Sequence, residues 1–367
     1  MTETTGREAK TIHRLLEIGK IQEEQKMETV DNDIMPIDGD VVIVDEMSMV
    51  DVFLMNYLTK GVYLGTKLVL VGDSNQLPSV GPGSVLKDMI ESEQIAVIRL
   101  NKIFRQAAKS KIIVNAHHVN QGEAFIAKGS EEAIDTEEDF FYINEQSQDK
   151  MLHHVVSLAK DRLKSYGNYE FFKDIQVLTP TKKGMLGTKE LNKALQNALN
   201  PENDFKQEKA YGEQIFREGD RVMQIKNDYD IFWERKNTKE TGTGIFNGEI
   251  GTIKKIDQEE KQMKIEFDDQ KVAWYAFSSL EELELAYCIT IHKSQGSEFN
   301  VVILALPQSA PMLLTRNLLY TAITRAKKLL VVIGSNKIVE FMIKNADSKK
   351  RNTGLEYKLR KIGGLKH

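Results

Sequence analysis

The stretch that decides the fold is Val41-Val42-Ile43-Val44-Asp45-Glu46, a short apolar run that ends in two acidic residues. A second apolar run, residues 67–71, ends in Gly72-Asp73. Short β-rich runs that end in polar or glycine-containing turns and lead into helical patterns are typical of parallel, fully buried strands in α/β proteins. Residues 95–100 are predicted as a third strand and residues 102–121 as the helix after it. Together these elements predict one α/β lobe.

A second α/β lobe is predicted farther along the chain. Its strands are expected at residues 175–178, 301–306 and 329–333. An acidic run at residues 130–139 marks the expected boundary between the lobes. A length of 367 residues agrees with this division, because one domain usually takes about 100 to 200 residues.

Between residues 212 and 277 the pattern changes to short alternating strands with Gly and Asn turns. These strands are expected at residues 220–225, 247–253 and 263–267. Such a pattern predicts a small β-barrel, which here interrupts the second lobe. We expect its aromatic side chains to fill the barrel core, and the alternative is that they stack on bases. These side chains are Phe216, Tyr229, Phe232 and Trp233.

Composition excludes several classes of protein. The longest apolar runs are far shorter than the ~20 residues that span a bilayer, and the polar N-terminus does not resemble a signal peptide, so we expect a cytoplasmic location and no membrane partner. The single cysteine, Cys288, excludes an intrachain disulfide and a cysteine-based zinc site. A net charge of -4 means that any nucleic-acid contact must be local. The acidic run and the basic C-terminal tail, residues 341–367, are interpreted as solvated surface or frayed ends.

The acids that end the first strand have the form of a Walker B element. Asp45 at the carboxyl edge of the strand can hold Mg²⁺ through water, and Glu46 can polarise an attacking water molecule. Apolar strands that end in Asp are common, so this signal alone leaves a purely structural interpretation open. The second strand ends in a more specific string, Gly72-Asp73-Ser74-Asn75-Gln76-Leu77-Pro78-Ser79-Val80-Gly81-Pro82-Gly83.

This string resembles the third motif of RecD/TraA-type superfamily 1 DNA helicases, the RecD-like or exodeoxyribonuclease V alpha-like proteins. The resemblance implies that Gln76 senses the γ-phosphate of ATP. It also implies an α/β fold with two RecA-like lobes of the P-loop NTPase type and an SH3-like β-barrel insertion in the second. The expected boundaries are 1–128 for the first lobe, 140–211 with 278–340 for the second, and 212–277 for the barrel.

Other segments extend the resemblance to the nucleotide site. Residues 100–106 resemble the fourth motif and imply that Arg105 reaches the γ-phosphate as an arginine finger. Residues 318–328 resemble the sixth motif and imply that Arg325 is a second finger. A planar guanidinium suits charge that is spread over phosphoryl oxygens. Residues 289–299 match the fifth motif most specifically, and by that match Gly296 and Glu298 lie beside the nucleotide.

Further residues are implied to contact DNA. In the fifth motif they are Thr290, His292 and Gln295, which would couple DNA to the nucleotide pocket. Residues 178–184 resemble a loop that contacts the DNA backbone, through Thr179, Pro180, Thr181 and Lys182. Near the N-terminus, Thr11 and His13 fall in a segment that resembles an early DNA-contacting motif. Residues 17–38 are then expected to form the pin hairpin that splits the duplex.

The resemblance implies an ATP-dependent DNA helicase that uses ATP and Mg²⁺. It would move 5′ to 3′ on single-stranded DNA and act at junctions of single-stranded and double-stranded DNA. One alternative is a non-catalytic DNA-binding remnant or partner subunit. A second alternative is a relaxase-helicase fusion. It would need a nicking domain rich in Tyr and His, and the sequence has none.

The sequence departs from the family at the phosphate-binding loop, which reads Gly, four residues, Gly-Lys, then Ser or Thr. The one Gly-Lys pair is Gly19-Lys20, which is followed by Ile21 and preceded at the required distance by Arg14. The family places that loop ahead of the segment that matches residues 2–16. We therefore expect a truncated product, a fragment or a split protein with a missing N-terminal segment or subunit, and very weak or absent ATP hydrolysis by this chain alone.

Overall fold

A computed structural model describes residues 5–7, 9–18, 34–100, 109–126, 138–346, 351 and 353–363. The chain divides into two compact units, which are described separately. Unit 1 comprises Met1–Ile103 and Asp347–His367, and unit 2 comprises Phe104–Ala346. Arg105, most of the hairpin expected at 17–38 and most of the acidic run lie outside the described residues.

The helices of the described residues are short. In chain order they are α1 (Ile12–Leu15), α2 (Val52–Gly61), α3 (Val85–Ser92), α4 (Lys111–Gln121), α5 (Gln148–Ser157), α6 (Leu163–Gly167), α7 (Phe171–Asp174), α8 (Thr188–Leu199), α9 (Arg316–Ile323), α10 (Asn336–Lys344) and α11 (Leu355–Gly363). A π-helical segment, Leu158–Arg162, joins α5 to α6, and 3-10 helices lie at Met47–Met49, Phe277–Glu282, Ile291–Ser294 and Pro311–Leu313. Within these described ranges, no helix has the length and apolar character needed to span a membrane.

The strands of the described ranges form four sheets. In chain order they are β1 (Val41–Val44), β2 (Lys67–Leu70), β3 (Phe140–Asn144), β4 (Ile175–Thr179), β5 (Glu208–Tyr211), β6 (Gln214–Arg217), β7 (Arg221–Gln224), β8 (Asp228–Arg235), β9 (Thr241–Ile245), β10 (Ile250–Asp257), β11 (Gln262–Phe267), β12 (Lys271–Ala276), β13 (Leu283–Leu285), β14 (Cys288–Thr290), β15 (Phe299–Leu306) and β16 (Ala326–Gly334). β5 pairs with β6 alone, as a separate antiparallel ribbon.

In unit 1, β1 and β2 form a parallel pair that begins with Val41 opposite Lys67. Val42 and Val44 on one face are buried in the hydrophobic core of the unit, whereas Val41 and Ile43 on the other face are each 51% exposed. Both predicted strands are confirmed. The prediction that they are buried on both faces is wrong for the described residues, because the described part of the unit-1 core packs on one face only.

The third strand predicted for the first lobe, residues 95–100, is not a strand in the structure. Ile98 and Leu100 are more than 85% exposed. An apolar run becomes a strand when a neighbouring strand completes its backbone hydrogen bonds. Among the described residues of unit 1, β1 and β2 pair with each other and neither pairs with this segment.

Unit 2 contains a five-stranded sheet whose order is β14-β4-β15-β16-β3 and whose strands are all parallel. The three strands predicted for the second lobe are confirmed as β4, β15 and β16. The last six residues of β15 are fully buried, which explains its unbroken apolar sequence, because parallel strands are covered on both faces. Two short outer strands, β3 and β14, complete the sheet.

The predicted barrel is a seven-stranded antiparallel sheet inserted between α8 and β14. Its strand order is β13-β7-β10-β11-β12-β8-β9, and it extends to Leu285, beyond the expected end at residue 277. Ile253, Ile265 and Tyr275 are among the side chains that fill its interior. Buried and half-buried positions alternate along β11, where every second residue is buried.

The first unit ends at Ile103, ahead of the boundary expected at residue 128. Helix α4 belongs to unit 2, where Asp139 accepts hydrogen bonds from Ser110 Oγ at 2.5 Å and from Lys111 N at 2.8 Å. Its far end is held by Arg316, whose Nη1 lies 3.4 Å from the Asn120 carbonyl oxygen. These polar contacts explain why the helix packs with the chain that follows it.

The interpretation of the C-terminal tail as a frayed end is wrong for its described part. Residues 351 and 353–363 are part of unit 1, and α11 packs along α3. Arg351 and Arg360 donate hydrogen bonds to backbone carbonyl groups of unit 1. Basic composition alone suggested a solvated tail, because a sequence does not show which carbonyl groups a guanidinium will meet.

A buried carboxylate fastens the barrel to the rest of unit 2. Asp220 is fully buried and accepts four hydrogen bonds, from Gln196 Nε2, Asn200 Nδ2, Arg217 N and Tyr287 Oη, at 2.6 to 2.7 Å. The donors come from α8 and its C-terminal cap, from the last residue of β6 and from the link between β13 and β14. Buried polar groups are tolerated when their hydrogen bonds are complete, as they are here.

Replacing Asp220 by Ala should lower the free energy of unfolding by about 3 kcal/mol or more, because buried donors lose their acceptor. Urea denaturation followed by tryptophan fluorescence measures this change, since both tryptophans, Trp233 and Trp274, lie in barrel strands. The control is Asp230→Ala on the exposed side of β8, which should change stability by less than about 0.5 kcal/mol. Equal effects of the two substitutions would contradict this role of Asp220.

Candidate functional site

Asp45 and Glu46 lie at the carboxyl end of β1. Asp45 is exposed, and its Oδ1 accepts a hydrogen bond from Glu46 N at 2.9 Å. Glu46 adopts a left-handed backbone conformation with φ of 54°, which is unfavourable for a residue with a side chain. Such strain is often found at functional sites, where it sets the direction of a side chain. The acid pair is therefore placed at an exposed, strained turn.

The end of β2 lies beside this turn. Met47 N donates to the Val71 carbonyl oxygen at 2.9 Å, and Val71 N donates to the Val44 carbonyl oxygen at 2.7 Å. A β-carbon at Gly72 would lie 2.9 Å from Met47 N, so the position requires glycine. The loops after the two strands therefore start from neighbouring points, as expected for parallel strands.

The loop after β2 carries Gln76, which is half-buried. A tight turn precedes it, in which Asp73 Oδ1 accepts from Asn75 N at 2.9 Å and the Asp73 carbonyl oxygen accepts from Gln76 N at 3.3 Å. The loop ends at Gly81 and Gly83, where Gly83 has φ of 95°. The structure thus brings the predicted acid pair and the loop of the predicted sensor together in one unit.

Arg325, predicted as an arginine finger, is 3% exposed. Its Nε donates to the Thr321 carbonyl oxygen at 3.2 Å, its Nη1 to the Ser297 carbonyl oxygen at 3.0 Å, and its Nη2 to Thr324 Oγ1 at 3.4 Å. The structure therefore does not present Arg325 as an exposed arginine finger. The guanidinium here joins α9 to the loop of the fifth motif, and these bonds occupy three of its five N–H groups.

Gly296 and Glu298 follow that loop. Gly296 has φ of 76°, which favours glycine. Glu298 is exposed and forms an ion pair of 3.0 Å with Lys327 at the start of β16. Both therefore lie on the loop that Arg325 holds.

The predicted DNA-contacting residues of the fifth motif differ in burial. Thr290 is 8% exposed and caps the following 3-10 helix, where its side chain accepts from Lys293 N at 3.3 Å. His292 is exposed, and desolvation lowers the pKa of its ring below the usual value. Gln295 is half-buried. A side-chain contact of Thr290 with DNA is not supported, because the hydroxyl is used as a cap.

The loop after β4 shows the same difference. Thr179 is fully buried and its Oγ1 donates to the Leu186 carbonyl oxygen at 2.7 Å, and its DNA contact stays a prediction. Pro180 is also buried. Thr181 is half-buried and bonds within the turn, to the backbone of Lys183. Lys182 and Lys183 are both exposed, and Lys182 forms an ion pair with Glu284.

Sequence reasoning did not assign roles to Lys293 and Glu284, which lie beside Lys182. Glu284 pairs with Lys182 at 3.1 Å and with Lys293 at 3.8 Å. Burial lowers the pKa of Lys293 below its usual value, and Glu284 opposes that shift. One carboxylate thus holds two lysines from two predicted DNA motifs. The position of Lys293 directly after His292 in the fifth motif was a signal that could have found it.

Thr11 and His13 lie at the short helix α1. Thr11 is exposed and caps the helix, accepting from Arg14 N at 3.2 Å. His13 is half-buried, and burial lowers its pKa. Thr11 is accessible at the surface of unit 1, whereas His13 is partly enclosed.

The aromatic residues of the barrel divide between its core and its surface. Phe216 and Trp233 are buried in the core, which confirms the preferred interpretation for these two side chains. Tyr229 packs edge-on against Phe246. Phe232 is 59% exposed, and Trp274, which sequence reasoning did not select, is 40% exposed with Lys264 Nζ 5.4 Å from its ring centre. Exposed aromatic rings beside a lysine are suited to base stacking.

Asp45 can supply one ligand to a magnesium ion, and the other ligands must come from elsewhere. In the described part of the chain, no group of three or more His, Cys, Asp and Glu side chains could hold a metal by itself. The exposed carboxylate of Asp45 can contribute one ligand, directly or through water. Magnesium in ATPases takes its other ligands from water and nucleotide phosphates, so this donor set is compatible with the ion.

Three family profiles match the chain in order. An AAA domain profile matches residues 1–148, an ATP-dependent RecD-like DNA helicase SH3 domain profile matches residues 191–267, and a UvrD-like helicase C-terminal domain profile matches residues 285–333. The SH3 match falls on the antiparallel barrel. The chain is related to RecD-type helicases. The predicted resemblance and the predicted α/β fold class with an SH3-like insertion are confirmed.

The RecD-like chain is 35% identical over 333 residues to the ATP-dependent RecD2 DNA helicase of Deinococcus radiodurans, covering 91% of this chain and 41% of that protein. It is 28% identical over 368 residues to the RecBCD enzyme subunit RecD of Mycolicibacterium smegmatis, covering 98% and 60%. It spans 31% to 60% of the length of the curated relatives it matches. A crystal structure of Pif1 helicase from Bacteroides in complex with ADP-AlF3 and ssDNA superposes with a TM-score of 0.49 at 18% identity, covering 90% of this chain and 80% of that one.

The strain at Glu46 can be measured by comparing Glu46→Gly with Glu46→Ala. Both remove the carboxylate, but glycine tolerates the left-handed backbone, so the glycine variant should be more stable locally by roughly 1 kcal/mol. Amide hydrogen exchange at Met47 and Val71 should then be about fivefold slower in the glycine variant, since both amides bond across this turn. Equal exchange rates in the two variants would show that the turn is not strained.

Proposed function

We propose that this chain forms the motor core of an ATP-dependent DNA helicase that moves 5′ to 3′ on single-stranded DNA. The observation that carries the proposal is the meeting of the Asp45-Glu46 turn with the Gln76 loop at the carboxyl ends of β1 and β2. The match of the barrel to the RecD-like SH3 domain supports the same function. The relatives are DNA helicases and RecBCD subunits by name, and the proposal extends that activity to this chain.

In the proposed nucleotide site, Asp45 would hold Mg²⁺ through water. Glu46 would orient and polarise the water that attacks the γ-phosphate, and Gln76 would contact that phosphate. The bound metal would supply charge neutralisation between the phosphates. For the residues of unit 2, the nucleotide contacts expected of Gly296, Glu298, Arg105 and Arg325 stay a prediction. To contact phosphate, Arg325 would use its remaining N–H groups or release Ser297 or Thr324.

The phosphate-binding loop would come from a polypeptide segment that this sequence does not include. Backbone amides and a lysine in such a loop hold the β- and γ-phosphates, and the 367 residues contain no string of that form. The apolar residues Val41, Ile43, Val69 and Val71 are exposed on the β1–β2 pair. Because parallel sheets are normally covered on both faces, these positions offer a surface for the additional segment.

DNA contact is proposed for the exposed or half-buried residues of the predicted motifs, Thr11, Thr181, Lys182, His292 and Gln295. A net charge of -4 gives no general attraction for nucleic acid, so the affinity would come from such local contacts. The exposed rings of Phe232 and Trp274 would stack on bases of the single strand. These contacts position the strand without reading its sequence, and single-strand/double-strand junctions are the proposed substrate.

ATP hydrolysis by this chain alone should be at background, with or without single-stranded DNA. Adding a second polypeptide that carries the strand and phosphate-binding loop of a RecD-type helicase should raise DNA-stimulated hydrolysis at least roughly 100-fold, because the loop supplies the missing phosphate contacts. Phosphate release measures the rate. The matched controls are the same polypeptide with the loop lysine replaced by alanine, and the Asp45→Asn variant of this chain, both of which should remain at background.

Absence of hydrolysis in every mixture, with single-strand binding retained, would contradict the motor proposal. The chain would then be a non-catalytic DNA-binding partner.

Lys182 should contribute to the salt dependence of single-strand binding. Lys182→Ala should weaken binding of a mixed-sequence oligonucleotide and reduce the slope of log K against log salt by roughly 0.7, since one phosphate contact is lost. Fluorescence anisotropy across salt concentrations measures the slope. The control is Lys173→Ala, an exposed and ion-paired lysine at the opposite end of β4, which should leave the slope unchanged. An unchanged slope for Lys182→Ala would remove this residue from the DNA site.

A further inference from the structure

Arg351, in the C-terminal segment of unit 1, donates hydrogen bonds to the end of the loop that carries Gln76. Its Nη1 lies 2.6 Å from the Gly81 carbonyl oxygen, 2.8 Å from the Gly83 carbonyl oxygen and 3.3 Å from Ser79 Oγ. Its Nη2 lies 2.6 Å from the Ser79 carbonyl oxygen. One half-buried guanidinium therefore joins three residues of this loop.

The residues after Arg351 fasten the same segment to α3. Thr353 Oγ1 donates to the Asp88 carboxylate, and Arg360 Nη2 donates to the Glu91 carbonyl oxygen at 2.7 Å. Leu355 packs against the hydrophobic core of unit 1. We call Arg351 and residues 353–363 the C-terminal arm. The arm is therefore an integral part of unit 1, although the chain completes the whole of unit 2 before returning to it.

The loop is also confined by the start of α2. Val52 N donates to the Pro82 carbonyl oxygen at 3.0 Å, and a β-carbon at Gly81 would lie 1.8 Å from Asp51 Oδ2. Ser79 is 4% exposed. The segment that follows Gln76 is thus packed against α2 and bonded to Arg351, so its position depends on both contacts.

We propose that Arg351 is a positioning residue, which holds the loop at residues 72–83 so that Gln76 is presented to the nucleotide. This inference rests on the proposed function in one respect, the role of Gln76 as the phosphate sensor. It gives Arg351 a role in the response to nucleotide that no sequence motif assigns to residues 347–367.

The chemistry of the contact requires arginine. A guanidinium presents five N–H donors in a flat fork, and here two of its nitrogens serve three carbonyl oxygens and one hydroxyl. Lysine carries three N–H donors on a single atom and could not reproduce an arrangement in which Nη1 and Nη2 serve four acceptors from two positions. Loss of Arg351 would leave carbonyl groups of a tightly packed loop without their donor, which favours movement of the loop.

Amide hydrogen exchange of the intact chain tests the structural part of the proposal. Arg351→Ala should accelerate exchange of amides in residues 72–84 at least roughly tenfold, because charged hydrogen bonds that stabilise the closed loop are lost. Arg351→Lys should restore little of the protection. Arg360→Ala, which loosens the same arm away from the loop, is the matched control and should leave exchange of this loop unchanged.

Two results would overturn the proposal. One is unchanged exchange of residues 72–84 in Arg351→Ala. The other is equal acceleration in Arg351→Ala and Arg360→Ala, which would show that the arm acts through general stability and that Arg351 has no particular role.

The functional part of the proposal is tested in the mixture of this chain with the polypeptide that carries the phosphate-binding loop. Arg351→Ala should lower kcat of DNA-stimulated hydrolysis about tenfold or more with little change in KM for ATP. The reason is that the loop of Gln76 contacts the phosphate during the reaction and is not the main binding site for ATP. Free guanidinium ion at about 10 mM should restore part of kcat in Arg351→Ala and none in Gln76→Ala. Arg360→Ala should keep the kcat of the unchanged chain, and an unchanged kcat in Arg351→Ala would contradict the positioning role.

Failure of this proposal and failure of the motor proposal give different results. If the unchanged chain shows no hydrolysis in the mixture, the proposed function fails, and the exchange experiment still decides whether Arg351 holds the loop. If the unchanged chain hydrolyses ATP and Arg351→Ala does so equally well, the motor proposal stands and the positioning role fails.

Discussion

The parallel pairing of β1 with β2 is the constraint on which the candidate nucleotide site depends. Parallel strands present their carboxyl ends at one edge of a sheet, and here the bonds between Met47 N and Val71 O and between Val71 N and Val44 O carry the pairing beyond the strands themselves. The acid pair and the loop of Gln76 therefore begin side by side. Gly72 permits this approach because a side chain there would collide with Met47.

Residues that share a motif differ in burial, and the buried and exposed members have different roles. Thr179, Thr290 and Arg325 are buried, and each uses its side chain to bond nearby backbone groups. Lys182 and His292 come from the same motifs but are exposed. The buried members fix the backbone of a loop, which allows the exposed members to face solvent in a defined direction. A motif is thus a structural unit as well as a set of contact residues, and substitution of its buried members would act through folding.

Elements with strong local signals were predictable. The apolar strands β4, β15 and β16 were found because a strand buried on both faces needs an unbroken apolar sequence. The barrel was found from alternation and from turns. Residues 95–100 carry a similar apolar signal but form no strand, because strand formation also needs a neighbour, which local sequence does not report. Helix α4 joined the second unit for a comparable reason, through the bonds of Asp139.

The sequence by itself determined the α/β class, the inserted barrel, the kinship with RecD-type helicases and the order of the motifs, since these depend on residue type, spacing and periodicity along the chain. Tertiary structure decided which motif side chains are accessible, that Glu284 joins Lys182 to Lys293, and that Arg351 bonds the loop after β2. Those facts depend on contacts between residues distant in sequence. Hydrogen-bond partners and burial arise only when the folded chain brings such residues together.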